Sequence, residues 1–191
     1  MKFEIRHLKS VAVVTCLIYG LFLAEQTFAA QECHITLSDS SVDFGRVMQP
    51  GSNDPASANA MHALGNRIVS LNASCPQAAK LLIQLRGAGQ GEQFRFAQQG
   101  QVSVILSNAS LDGRSVNLAK VQSIGAPPST SGSSIEAMPG DRVIPVSGGL
   151  PVEGSTLSMQ IEFKPQVPMT ELRTRDAKTL EANLTFQISS Y

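Results

Sequence analysis

An all-β sandwich or barrel is the fold this sequence predicts, and three observations predict it. Short apolar pulses alternate with polar residues in period two, the pattern of half-buried strands. The pulses recur roughly every ten residues, with glycine- and proline-bearing turns between them. No stretch sustains a helical period.

The chain opens on a leader rather than a strand. Lys2, Arg6 and Lys9 make a basic start, and an apolar run from Val11 to Ala24 follows, broken only by Thr15 and Gly20. Thr27-Phe28-Ala29 then places small residues at the −3 and −1 positions of a cleavage site, so residues 1–29 are expected to be a secretory signal peptide. The run is shorter than the roughly 20 residues of a membrane span. An uncleaved anchor is the alternative. Cleavage after Ala29 leaves residues 30–191 as a single domain. The leader holds three of the 15 basic and two of the 15 acidic side chains, which leaves 12 against 13 and a net charge of about −1. Nothing in that balance attracts nucleic acid or an anionic membrane.

The strand signals then follow in order. Ile35 and Leu37 alternate after Cys33. Val42, Phe44 and Val47 predict a second short strand, with Gly45 as a bulge or bend. Pro50 to Asn66 reads as a polar loop or short helical excursion. Val69, Leu71, Ala73 and Cys75 share one strand face that Pro76 should stop. Leu81, Ile83 and Leu85 give the next strand, then Phe94 and Phe96, then Val102, Val104 and Leu106 ahead of an Asp112-Gly113 turn. Val116, Leu118 and Val121 follow. Gly125 to Gly140, dominated by Gly, Pro, Ser and Thr, predicts a mobile surface loop. Val143, Ile144 and Val146 come after a Pro139-Gly140-Asp141 turn. Leu157, Met159, Ile161 and Phe163 alternate up to Pro165, and residues 167–178 read as an irregular charged connection.

The last strand carries the clearest alternation. Leu180, Ala182, Leu184, Phe186 and Ile188 point one way, while Glu181, Asn183, Thr185 and Gln187 point the other. A strand with one greasy face needs a neighbour on each side, or it is an aggregation edge. Nothing in this chain follows it, so a partner is expected to supply the missing neighbour.

Only Cys33 and Cys75 survive processing, since Cys16 lies in the leader. In an oxidising compartment an even pair reads as a disulfide; two free thiols are the alternative. The bond would close a loop of about 43 residues and contribute on the order of 4 kcal/mol. His34 and His62 have no C-x-x-C or H-x-x-x-H partners, so no metal site is expected.

Catalytic and cofactor chemistry finds little support. Gly87-Ala88-Gly89-Gln90-Gly91 follows a strand, but Phe94 and Phe96 continue as strand where a dinucleotide loop would open a helix. Ser147-Gly148-Gly149 lacks the frame of a nucleophile elbow. A secreted hydrolase would need a nucleophile with its base or a carboxylate pair. The acidic residues Asp112, Asp141, Glu162 and Glu181 instead occupy turn or solvent-face positions. The expectation is a non-enzyme without cofactor.

Taken together, Cys33, the Val42-Asp43-Phe44-Gly45-x-Val47 segment, the Cys75-Pro76 pair, the Pro139-Gly140-Asp141 turn and the alternating C-terminal strand have a known order and spacing. The chain resembles the structural subunits of bacterial fimbriae assembled by the chaperone–usher route. The resemblance implies an immunoglobulin-like β-sandwich lacking its final strand. A groove beside the C-terminal strand would then be lined by Leu180, Ala182, Leu184, Phe186 and Ile188. A periplasmic chaperone would fill it first, and a neighbouring subunit's strand later. The terminal carboxylate of Tyr191 would be held by basic chaperone residues. Implied partners are the chaperone, the outer-membrane usher, other fimbrial subunits and, for an adhesive subunit, a host receptor. The implied location is the cell surface, reached through the periplasm.

Two positions depart from the family pattern. Ser190 stands where such subunits carry a next-to-last tyrosine, and Tyr191 is out of register. Cleavage after Ala29 would leave only Ala30-Gln31-Glu32 before Cys33, a span of at most about 10 Å. That is too little for a donor strand, so the expectation is a subunit that accepts a strand without giving one, at the fibre tip. A free-standing secreted β-sandwich binding module, for instance for carbohydrate, is the alternative reading.

Overall fold

The computed structural model describes residues 32–47, 60–173 and 178–191. The expected leader and most of the expected polar loop after Pro50 lie outside them. In chain order the strands are β1 (His34–Leu37), β2 (Met61–Ala63), β3 (Arg67–Gly87), β4 (Gly89–Gln90), β5 (Gln93–Phe96), β6 (Gly100–Leu111) and β7 (Arg114–Ser115). Then come β8 (Asn117–Val121), β9 (Ser131–Gly132), β10 (Ser134–Ala137), β11 (Arg142–Ser147), β12 (Leu150–Pro151), β13 (Glu153–Pro168) and β14 (Leu184–Ser190). A four-residue helix, α1 (Met169–Leu172), follows β13. The chain is all-β, and every strand pairing among the described residues is antiparallel.

β3 organises the fold because it belongs to both layers. Its first half pairs with β1 on one edge and β13 on the other. Its second half pairs with β14 and β11. The change of layer falls just after Cys75. There Ser74 faces Thr156 and Ala79 faces Gly154, so four residues of β3 oppose a single residue of β13. Pro76 sits in this irregular stretch, where a missing N–H breaks no regular ladder. The strand expected to stop at Pro76 therefore bends there and continues. β13 likewise runs past Pro165, to Pro168.

The first layer runs β1-β3-β13-β6-β5-β4, with β10 and β7 also pairing β6. The second runs β14-β3-β11-β8-β9. Inward residues of the two layers form one core. Leu71, Ala73, Val104, Leu106, Leu157 and Ile161 of the first meet Leu81, Ile83, Leu85, Leu118 and Val143 of the second. The outer face of the second layer has its own buried cluster of Leu82, Ala119, Val121, Ile144 and Val146. Burial on both faces accounts for the unbroken apolar run around Ile144, which alternation alone does not explain.

Local chemistry fixes the corners. Asp112 and Gly113 both adopt positive φ, 49° and 76°, as the tight hairpin between β6 and β7 requires. The Asp112 carboxylate also accepts N–H bonds from Ser155 and Thr156. The Thr156 bond holds its pKa down against partial desolvation, and the Ser155 contacts and Arg114 act in the same direction. Cys33 and Cys75 are bonded, with Cα atoms 4.2 Å apart, and tie β1 to β3. Part of the expected mobile loop is ordered instead. Residues 131–137 include β9 and β10, which pair with β8 and β6.

Candidate functional site

β14 alternates in space as it does in sequence. Leu184, Phe186 and Ile188 are half-buried against the core, and Thr185 and Gln187 are exposed. The hydrogen-bonded strand begins at Leu184, not at Leu180. Its register sets Leu184 opposite Gly87, Phe186 opposite Leu85 and Ile188 opposite Ile83. Tyr191 then exchanges backbone bonds with Lys80, at 3.1 and 3.3 Å, so the pairing continues through it. Among the described residues β14 pairs with β3 alone, and its other edge carries no ladder.

That edge faces a groove of about 870 Å³. One wall is the stretch from Lys178 to Asn183 with the start of β14, which brings Leu180, Ala182, Leu184 and Phe186 to the opening. Ile188 and Tyr191 lie further along the strand, outside it. The opposite wall is the stretch from Asp39 to Val47. The sequence predicts a strand here, yet residues 42–47 make no ladder. They keep the side-chain alternation nonetheless: Val42, Phe44 and Val47 are half-buried, while Asp43 and Arg46 are exposed. A segment can be amphipathic, with alternate side chains turned inward, without pairing. The floor is apolar, with Val69, Phe96 and Val102 each almost fully buried.

Both walls are held by side chains in place of a ladder. Arg67, the first residue of β3, donates from Nε to the Asp43 carbonyl at 3.2 Å. Its guanidinium lies over the Phe44 ring, 5.7 Å from the centroid. The Phe44 ring meets Phe96 edge-on at 6.5 Å. Asp43 accepts the Gly45 N–H at 2.7 Å, and Gly45 adopts φ 78°, which turns the chain at the expected bend.

On the other side Glu171 of α1 is the one buried charged residue among those described, its side chain 2% exposed. It accepts the N–H groups of Gln98 and Gln99, each at 3.0 Å, and the Lys178 ammonium at 3.0 Å. Burial pushes this carboxyl up, but the two N–H donors and Lys178 outweigh it, so its pKa lies below the ordinary 4.5. Three residues beyond Lys178, the Glu181 carbonyl accepts the Ala97 N–H at 2.8 Å. The wall ahead of β14 is thereby tied to the turn between β5 and β6.

Sequence reasoning reaches the apolar residues of both walls and misses Arg67, Glu171 and Lys178. A charge beside a strand or in a polar connection looks like a solvated one, and no spacing rule links Arg67 to Asp43 or Glu171 to Gln98. Among the described residues no three His, Cys, Asp or Glu side chains converge as a metal site requires. No helix there is long and apolar enough to cross a membrane.

No family model matches the chain, and no curated protein matches it. Among solved structures it is similar to the P pilus rod subunit PapA. The identity is 12% and the TM-score 0.33, over 83% of this chain and 99% of that chain.

Proposed function

We propose that the chain is a subunit of a bacterial fimbria whose sandwich is completed by a strand from another polypeptide. One observation carries this reading. Two extended segments without ladders face each other across an apolar floor, and one of them leads into a half-buried edge strand. An inserted strand would pair with β14 along its free edge and cover the Phe186 side chain. It would also extend the sheet by backbone bonds that any sequence can make, while its alternate side chains fill the groove. The residues bound to this role are Leu180, Ala182, Leu184, Phe186 and Ile188, with Tyr191 at the end presented to a chaperone.

On this reading the protein is exported through the periplasm, handed from a chaperone to an usher, and displayed at the cell surface. The three residues between the expected cleavage site and Cys33 support a tip position, since they are too few to serve as a donor strand. The role is structural and adhesive, not enzymatic.

The test is production of the full chain in a bacterial periplasm with and without a chaperone of the chaperone–usher class. Co-purification with the chaperone, and degradation or aggregation without it, is the expected result. A stable monomer that forms alone and ignores the chaperone overturns the proposal and favours the free-standing binding module.

A further inference from the structure

Each wall of the groove depends on one charged side chain, and that dependence has a direction. An extended segment in a sheet is ordinarily held by a row of backbone bonds. Residues 42–47 make no such row with the described residues, and Arg67 stands in for it by bonding the Asp43 carbonyl and covering the Phe44 ring. The stretch from Lys178 to Asn183 has no strand ladder either. Glu171 anchors its beginning through Lys178 and, through Gln98 and Gln99, joins it to the same turn that holds Glu181. On the walls themselves Val42, Phe44, Leu184 and Phe186 stay half-buried, apolar side chains that water would leave if the walls could close.

We propose that Arg67 and Glu171 are positioning residues that hold the walls of the groove apart, ready for a strand, and that this task ends once a strand is seated. The inference rests on the strand-acceptor reading above. A seated strand supplies each wall with the ladder it lacks, so the side-chain anchors become redundant in the filled state. Their loss should slow the capture of a strand and leave the filled complex nearly as stable as before. A role in general stability would do the reverse, weakening filled and unfilled chains alike.

The experiment refolds the full chain from denaturant in the presence of a labelled synthetic peptide that alternates valine with threonine and lysine and is as long as β14. Capture rate and thermal unfolding of the filled complex are both read for wild type, Arg67→Met and Glu171→Gln. Asp112→Asn, which disturbs a turn outside the groove, serves as the control. Both groove variants should capture the peptide roughly tenfold more slowly, the kinetic equivalent of one lost charge-assisted bond. Their filled complexes should melt near wild type. Asp112→Asn should melt lower and capture at the normal rate. Peptide capture by the variants at the wild-type rate overturns the positioning role alone, as does a filled-complex melting loss equal to that of the control. A wild-type chain that captures no peptide overturns the strand-acceptor reading and this inference with it.

Discussion

Phe186 and Leu85 face each other across the β14–β3 pairing, yet Leu85 is 1% exposed while Phe186 is half-buried. The two apolar side chains share one row of one sheet. β3 has a strand on both edges, whereas among the described residues β14 has one on a single edge. The row is closed at Leu85 and open at Phe186.

Substitution along β14 should follow that row. Phe186→Asp loses the burial of a large side chain and places a charge against the core, a cost of about 3 kcal/mol. Gln187→Asp, on the exposed face, should cost about 0.5 kcal/mol or less. Periplasmic yield and chaperone co-purification should fall sharply for the first and stay near wild type for the second.

The disulfide should matter in proportion to what it ties. Cys33 precedes β1, a strand of four residues held by β3. Cys75→Ser should cost about 2–5 kcal/mol, the usual loss for a secreted domain. Thiol titration of the denatured, unreduced protein should find neither Cys33 nor Cys75 free, and the variant should unfold at lower urea.

Gly100 should tolerate no side chain. A Cβ there would lie 2.7 Å from the Gln166 and Phe96 carbonyl oxygens and from Val167 Cγ1. Two of those atoms are backbone and cannot give way. Gly100→Ala should cost about 2–3 kcal/mol as an overpacked core site. Gly113→Ala meets nothing within 4 Å and is strained only by its φ of 76°. It should cost about 1 kcal/mol. Urea midpoints with a strand seated would rank the pair.

Much of the fold is legible in the sequence because alternation is a local signal. Val69, Leu71 and Ala73 can be assigned to one face without knowledge of their partners, and all three are buried. What alternation cannot report is pairing. Val42, Phe44 and Val47 show the same pattern as β1, yet the predicted strand forms no ladder. Pro76 and Pro165 read as stops, but each sits inside a strand that continues past it. The groove's apolar residues are readable from the sequence, while the anchors Arg67 and Glu171 act through contacts that only the tertiary arrangement creates.

Without a seated strand, acid should loosen the protein partly through Glu171. Its pKa is lowered on folding, so it contributes stability that is present above the ordinary glutamate value of 4.5 and lost as pH falls through the folded value. Asp112 and Glu162, also lowered, contribute in the same direction. Stability followed from neutral pH downward should decline below about 4.5 in wild type and less steeply in Glu171→Gln. Parallel curves for the two proteins would show that the carboxylate is not held as described.

The proposal that the groove accepts a strand is tested most directly by amide hydrogen exchange on the full chain, with and without a seated strand. Exchange should slow together in Leu184–Ser190 and in residues 42–47, the two sides of the groove, while Asn117–Val121 stays unchanged. Slowing on neither side, in a chain that is already folded and monomeric, would contradict the account.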